Sequence, residues 1–509
     1  MSCLRLVLGD QLSSQMSSLS DIDHANDIIL LMEIKSETDY AAHHKRKLAF
    51  VFSSMRHFAD KLSKNSRVKY IAYNSEENQH DFTSNLKMVI NQENIRKLIL
   101  TEPAEYRLLE SFYNNFPTLG IPFEIREDNR FLCSKEEFAI YNSQQKSLMM
   151  ENFYHYMRKK TGYLMNKSSK PIGGKWNFDH DNRSPFKNDM PIPQRPIFKP
   201  DDTTNAVIKM VEKEFEDNFG TLKSFNEAVT EEQAEEVLQY FIEHCLTYFG
   251  KYQDAMVDGE PLMFHSRISH LLNIGLLTAK YVCDEALKKI DQVPLSSIEG
   301  FIRQVIGWRE YIRGVYWTNM PDYVESNFFN FHRKLPEFYW NGKCKMNCVK
   351  SVVQSTERYA YSHHIQRLMI TGNLALLMGI KPQKVHEWYL AVYDDAYEWV
   401  ELPNTIGMAL YADGGAMSTK PYISSGNYIN KMSNFCKTCS YKVKEKTGPK
   451  ACPFNYLYWN FLDQERDKLS TNRRLFMPYK NLNKKKPEEM KEIRLSAKKF
   501  IDSHCQKLE

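Results

Sequence analysis

The sequence predicts two folds in series: a Rossmann-like α/β domain with a parallel sheet over residues 1–135, and a large all-α domain over residues 204–509. A long connection, 136–203, joins them. Three observations predict this. Short apolar runs alternate with amphipathic stretches up to residue 135, which is the rhythm of strand and helix in a parallel sheet. After residue 204 strand-like alternation fades and apolar residues fall at helical spacing. Between them, the stretch IGGKWNFDHDNRSPFKNDMPIPQRPIFKP is rich in Gly, Pro and Asn and has no sustained period, as expected of a connection lying over a second domain.

In chain order, LRLVLGD, DIILLMEI, RVKYIAY, KLILTEP and PFEIRED are the strands. HHKRKLAFVFSSMRHFADKL is a helix, with Leu48, Val51, Met55, Phe58 and Leu62 on one face. A parallel sheet binds ligands beyond the carboxyl ends of its strands, which puts Gly9, Asp10, Gln11, Glu33 and Glu37 at a ligand mouth. No G-x-G-x-x-G follows the first strand, so a dinucleotide is not expected there. Further on, EEQAEEVLQYFIEHCLTYFG, FIRQVIGWREYIRGVYW and ITGNLALLMGI carry helical apolar faces. Pro487 followed by Glu488 and Glu489 starts a last helix, and Lys484–Lys486 before it reads as a solvated linker.

Composition excludes several classes. Hydrophobic residues make up 42% and aromatics 13%, enough to bury large cores in 509 residues. No run of eighteen apolar residues is present to span a membrane. MSCLRLVLGDQL has too short an apolar core for a signal peptide. Ten scattered cysteines fit a reducing compartment, so the expected location is the cytoplasm. A net charge of +5 permits a nucleic-acid partner without demanding one.

Four stretches carry chemistry. Cys436, Cys439 and Cys452 form C-x2-C-x12-C, three of the four thiolates that a zinc or iron–sulfur site needs. Cys348 is the best fourth candidate and Cys344 its rival, and spacing leaves the metal open. His265-Ser266-Arg267-Ile268-Ser269 offers hydroxyls and a cation at a helix start, which suits a pyrophosphate; capping alone would also explain the serines. In YAYSHHIQRLMITGNLALL, adjacent His363 and His364 face two sides of a helix, and either ring can donate a proton near neutrality. The stretch WYLAVYDDAYEWVELPNTIGMALYADGGAMSTKPYISSGNYINKMSNF mixes aromatics, glycines and small polar residues like the wall of a site for a flat ligand.

Taken together, HHIQRLMITGN, AYEWVELPNTIGM, YADGG-x-M-x-TKPYISSGNYI and the cysteine stretch resemble the photolyase/cryptochrome superfamily, and within it the iron–sulfur bacterial cryptochromes and (6-4) photolyases. The resemblance runs from GDQLS to ACPFNYLYWNFL, nearly the whole chain. It departs from the better-known T-S-x-L-S form by reading H-S-R-I-S.

The resemblance implies an FAD-binding helical domain with a C-terminal iron–sulfur region, ligated as a 4Fe–4S cluster by Cys348, Cys436, Cys439 and Cys452. It implies a 6,7-dimethyl-8-ribityllumazine antenna beside Asp10, Glu37 and Tyr40. Around FAD it places His265, Ser266, Arg267, Ile268, Ser269, Gln304, Trp308, Arg309, His363, Arg367, Asp395 and Ala396. Leu368, Met408, Tyr422 and Tyr428 would form a lesion pocket, with His364, Glu401 and Tyr428 as catalytic groups. Trp340, Trp388 and Tyr397 would relay electrons. The implied activity is light-driven repair of (6-4) photoproducts in UV-damaged DNA by a monomer. The alternatives are a blue-light receptor of the same fold, repair of cyclobutane dimers, and a zinc-stabilised nucleic-acid-binding protein without catalysis.

Overall fold

The computed structural model describes residues 2–187 and 190–505. Five strands, β1 (Cys3–Leu6), β2 (Ile28–Met32), β3 (Arg67–Ile71), β4 (Lys97–Thr101) and β5 (Phe123–Arg126), form one sheet in the order β3-β2-β1-β4-β5. All four pairings are parallel. Every residue of β2 is buried, because helices cover both faces of the sheet. The strand period of two divides those residues between two cores. Leu4, Leu6, Ile28, Leu30 and Met32 pack with Leu86, Val89, Phe112 and Phe116. Val7, Ile29 and Leu31 pack with Leu48, Phe52 and Met55 of helix Lys45–Ser63, in an apolar core continuous with that of the helical part.

The stretch 136–203 is not a bare connection. It holds most of helix Lys135–Ser143 and all of helix Met150–Thr161, which bury Phe138, Tyr141, Phe153, Tyr154 and Met157. The polar break SQQKSLM separates two helices too short to show a period over a long window. Phe138 lies flat on Gly314, where a Cβ would fall 2.1 Å from its ring. Only the part after Thr161 follows an irregular course, held down by contacts such as Asn182 Nδ2 to the Ser296 carbonyl (2.9 Å).

Beyond residue 202 the described chain is helical, and three of its helical stretches carry a π-helical turn: Arg303–Arg309, Arg367–Gly372 and Pro403–Ala409. A π-turn inserts a residue into the ladder and re-aims the side chains around it, and such turns recur at functional sites. No helix among the described residues is long and apolar enough to cross a membrane.

Candidate functional site

At the carboxyl ends of β1, β2 and β4 lies an open cavity of about 110 Å³. Asp10, Glu37 and Tyr40 all line it. Glu37 accepts two hydrogen bonds from Arg107 (3.0 and 2.7 Å), which also meets Glu105 at 2.7 Å and lies 3.6 Å over the Tyr40 ring. Asp10 sits 3.3 Å from Arg130, yet burial pushes its carboxyl up to about 6. Sequence reasoning missed His43 and Lys47 on the cavity wall. Lys47 donates to the Ala396 carbonyl (2.5 Å), and burial pulls its ammonium down to about 8. Tyr397, expected in the electron relay, lines this cavity with the Lys47 ammonium 4.8 Å from its ring centre. The rings next to Trp388 are Tyr339, Tyr389 and Tyr393, at 5.2, 5.2 and 5.8 Å. Trp340 is 41% exposed and packs on Phe219.

The second site is in the helical part. Arg267, in the left-handed region (φ 56°) just before helix Ser269–Asn273, points inward. Its guanidinium is spent on Asp394, with Nη1 to Oδ1 at 2.9 Å, so it is not the free cation that the sequence suggests. Asp395 accepts from Arg367 (2.8 and 3.2 Å) and Ser269 (2.6 Å), while Asn273 holds its carbonyl (2.8 Å). Burial opposes ionisation of Asp395, but Arg367 and Ser269 outweigh it and hold the carboxyl at about 2.

A cation with donors to spare is Arg195, from the connection; Arg309 Nε and Nη1 are likewise buried without a hydrogen-bond partner. Arg195 Nη1 donates to the Ser266 carbonyl (2.7 Å), and its Nε and Nη2 are buried without a partner. A lone Arg between two prolines gives no periodic signal, which is why the sequence hides it.

Three histidines converge beside this turn. The His265 and His363 rings stack at 4.5 Å and 17°, and His364 stands edge-on to His265 at 5.6 Å. His265 and His363 are buried, and burial, followed by neighbouring cationic groups, keeps both well below the usual histidine range. Their Nε2 atoms have no partner. The His364 side chain is 53% exposed, with Nε2 3.5 Å from Asp254.

The π-turns carry Gln304, Trp308 and Arg309, then Arg367 and Leu368, then Met408. Arg309 turns into an aromatic cage, 4.2 Å from Phe131 and 5.1 Å from Trp399. Ile268 and Ala396 are buried, and Leu368, Met408, Tyr422 and Tyr428 pack half-buried against the core. Glu401 does not face an opening: one oxygen is bound to His386 Nδ1 and the other to the Thr405 hydroxyl. Asp179 is engaged by Arg303 and Arg183.

The third site is a thiol cage. Cys348, Cys436, Cys439 and Cys452 line one small cavity, and no two are joined as a disulfide. Cys348 lies at the start of helix Asn347–Tyr359 and Cys452 caps helix Pro453–Gln464. The rival Cys344 is outside the lining and donates to the Met346 carbonyl (3.5 Å). A Cβ at Gly426 would sit 2.8 Å from Cys452 Sγ, so only glycine leaves the cage its room. Burial, then neighbouring thiols, push Cys436 up to about 11, and burial raises Cys452 to about 12. Those protons must leave when a metal binds, and four converging thiolates fit zinc or an iron–sulfur cluster.

Comparison with known proteins adds three findings. Residues 5–226 match the family described as deoxyribodipyrimidine photo-lyase-related protein. A curated relative, the (6-4) photolyase of Agrobacterium fabrum, is 49% identical over 504 residues, covering 98% of this chain and 99% of that protein. Two solved structures share the fold: a bacterial class III photolyase from Agrobacterium tumefaciens (TM-score 0.57, 14% identity, 99% and 98% coverage) and a Synechocystis cryptochrome (TM-score 0.54, 12% identity, 98% and 99% coverage).

Proposed function

The chain belongs to the photolyase/cryptochrome superfamily, on the side of the (6-4) photolyases, and from that premise we propose that it repairs (6-4) pyrimidine photoproducts in UV-damaged DNA under blue light. The observation that carries the chemistry is the histidine face. His364 is exposed at its edge with Asp254 within 3.5 Å, backed by two buried, neutral imidazoles.

The substrate is a lesion flipped out of the duplex, since its reacting bonds are unreachable in the stack. Leu368, Met408, Tyr422 and Tyr428 supply apolar and aromatic faces that replace the lost stacking. Nδ1–H of His364 donates the proton that the rearranging lesion needs, and Asp254, 3.5 Å from Nε2, orients that ring. Glu401, with both oxygens engaged, stiffens the Met408 turn through Thr405. Tyr428 closes the pocket as a hydroxyl donor.

FAD fits the donors of the helical site: Arg195 for the phosphates, unpartnered His265 and His363 nitrogens, and the Arg367–Asp395 pair beside the ring. Bound there in reduced form, it would supply the light-driven electron. The thiol cage would hold a 4Fe–4S cluster that staples the end of the chain to residue 348. The sheet cavity would take a flat antenna such as 6,7-dimethyl-8-ribityllumazine, between Arg107, Tyr40 and Lys47. Labour then divides as 1–135 for the antenna, 136–203 as the strap between, and 204–509 for flavin and lesion, in a cytoplasmic monomer.

The test is repair of an oligonucleotide with one (6-4) photoproduct by photoreduced protein, beside a cyclobutane-dimer oligonucleotide and dark controls. Light-dependent restoration of the (6-4) substrate alone is expected. If flavin-loaded, reduced protein restores neither lesion, the repair reading falls and a light receptor replaces it.

A further inference from the structure

Residues 468–486, KLSTNRRLFMPYKNLNKKK, contain seven lysines and arginines and no acid, in a chain whose total charge is only +5. Two of these cations are engaged locally: Lys468 with the Phe329 carbonyl and Glu465, and Lys485 with Glu489. Arg473, Arg474 and Lys480 are exposed. Amid them stand two adjacent large apolar side chains in water, Phe476 at 64% and Met477 at 57% exposure.

The turn that presents them is anchored. Leu475 and Tyr479 on its inner side are buried, and the Tyr479 hydroxyl donates to the Leu462 carbonyl (3.1 Å). Asn472 caps the turn by accepting from Arg474 N–H (3.0 Å), and its amide donates to the Thr419 carbonyl (3.0 Å). Thr419 lies in the segment that leads to Tyr422 of the lesion pocket. Burial, then Arg474 and Arg183, lower the ammonium of Lys420, so cations from three segments crowd the same rim.

We infer that the Phe476–Met477 tip enters the duplex beside the extruded nucleotide and fills the gap it leaves, while Arg473, Arg474 and Lys480 grip the flanking phosphates. Extruding a nucleotide leaves an unstacked step, and proteins that hold such steps open insert apolar side chains between bases. Two apolar residues ringed by cations, on a fixed turn, match an opened polyanionic duplex. A protein partner would find an apolar area of two side chains inside a strongly positive field. Lys484 and Lys486, both exposed, then belong to the positive rim rather than to a passive linker, with Lys485 paired to Glu489 between them. The inference rests on the DNA-repair reading above and deepens it.

The test compares the full-length, flavin-loaded protein with F476S/M477S and, separately, R473Q/R474Q. Binding is measured to one (6-4) lesion in a duplex and in the same single strand, with 2-aminopurine opposite the lesion reporting base extrusion. For F476S/M477S the ratio of duplex to single-strand affinity should fall about tenfold, and the 2-aminopurine rise should be lost. For R473Q/R474Q the slope of log K against log salt should shrink by about 1–2. An unchanged duplex-to-single-strand ratio with full 2-aminopurine signal would overturn the inference. So would a change in sedimentation of F476S/M477S with DNA binding intact, because the tip would then be a protein contact. Repair of the single-stranded lesion by the parent protein separates the two claims: its absence sinks the repair reading, whereas its presence with an indifferent tip sinks only this one.

Discussion

The sheet cavity and the histidine face handle polar atoms in opposite ways. In the sheet cavity the main ion pair is matched and partly wet: the Glu37 and Arg107 side chains are 27% and 29% exposed, and Arg107 has Glu105 as a second partner. On the helical side the charged pairs, Arg267–Asp394 and Arg367–Asp395, sit deeper, while Nε and Nη2 of Arg195, Nε and Nη1 of Arg309, Nε2 of His265 and both ring nitrogens of His363 go without hydrogen-bond partners. Buried polar groups left unpaired are costly. A chain keeps them where a ligand completes them, so the contrast separates a pocket whose main ion pair is complete, with the Tyr397 hydroxyl left over, from a site with several open donors.

The sharpest way to break the contrast is to remove one carboxylate from each side. Asp395→Ala leaves Arg367 buried without its main partner and should cost about 3–5 kcal/mol in urea unfolding of the flavin-free protein. Glu37→Gln leaves Arg107 with Glu105, close to solvent, and should cost about 1 kcal/mol or less. Equal losses would erase the distinction. A second test concerns one of the open cations. Arg195→Met should weaken FAD binding about tenfold or more, on the scale of a hydrogen bond to a charged group. The flavin-free protein should unfold at the same or higher urea concentration, because a buried charge has gone. A drop in both, or in stability alone, would make Arg195 structural.

The smallest effect is a pH dependence at His386–Glu401. Burial lowers the His386 pKa, but Glu401 outweighs it and the net shift is upward. A raised folded value means stabilisation that is full below the unfolded histidine pKa, about 6.5, and is lost as pH rises through the folded value. The stability advantage of the parent protein over Glu401→Gln should therefore be larger at pH 6 than at pH 9, read as urea midpoints. An advantage that grows with pH would contradict the assignment.

These regions also differ in how far the sequence betrays them. The sheet and its mouth were readable because strand alternation, the helix 45–63 spacing and the carboxyl-end rule are all local. Asp10, Glu37 and Tyr40 follow from them or from family likeness, and all three reach the cavity. The helical site was readable as a set of segments but not as an arrangement. A π-turn leaves no trace in a window of apolar spacing, so FIRQVIGWREYIRGVYW looks like an unbroken α-helix although Arg303–Arg309 re-aims Gln304, Trp308 and Arg309. Arg267 looked free because its partner Asp394 lies 127 residues away. Arg195 was invisible for the reason that makes it interesting, a single cation in an aperiodic strap. Tyr397 was separated from Trp388 by the turn after Val392, which sends its ring to the sheet cavity.

The central claim is that His364 delivers a proton while its neighbours hold the cofactor. It is tested most directly by single-turnover repair of a (6-4) oligonucleotide by His364→Ala, with bound flavin measured on the same sample. The account predicts a fall of about 10²–10⁴-fold, the usual worth of a general acid, with flavin content and photoreduction as in the parent protein. Repair at the parent rate, or loss of flavin in parallel with repair, would contradict it.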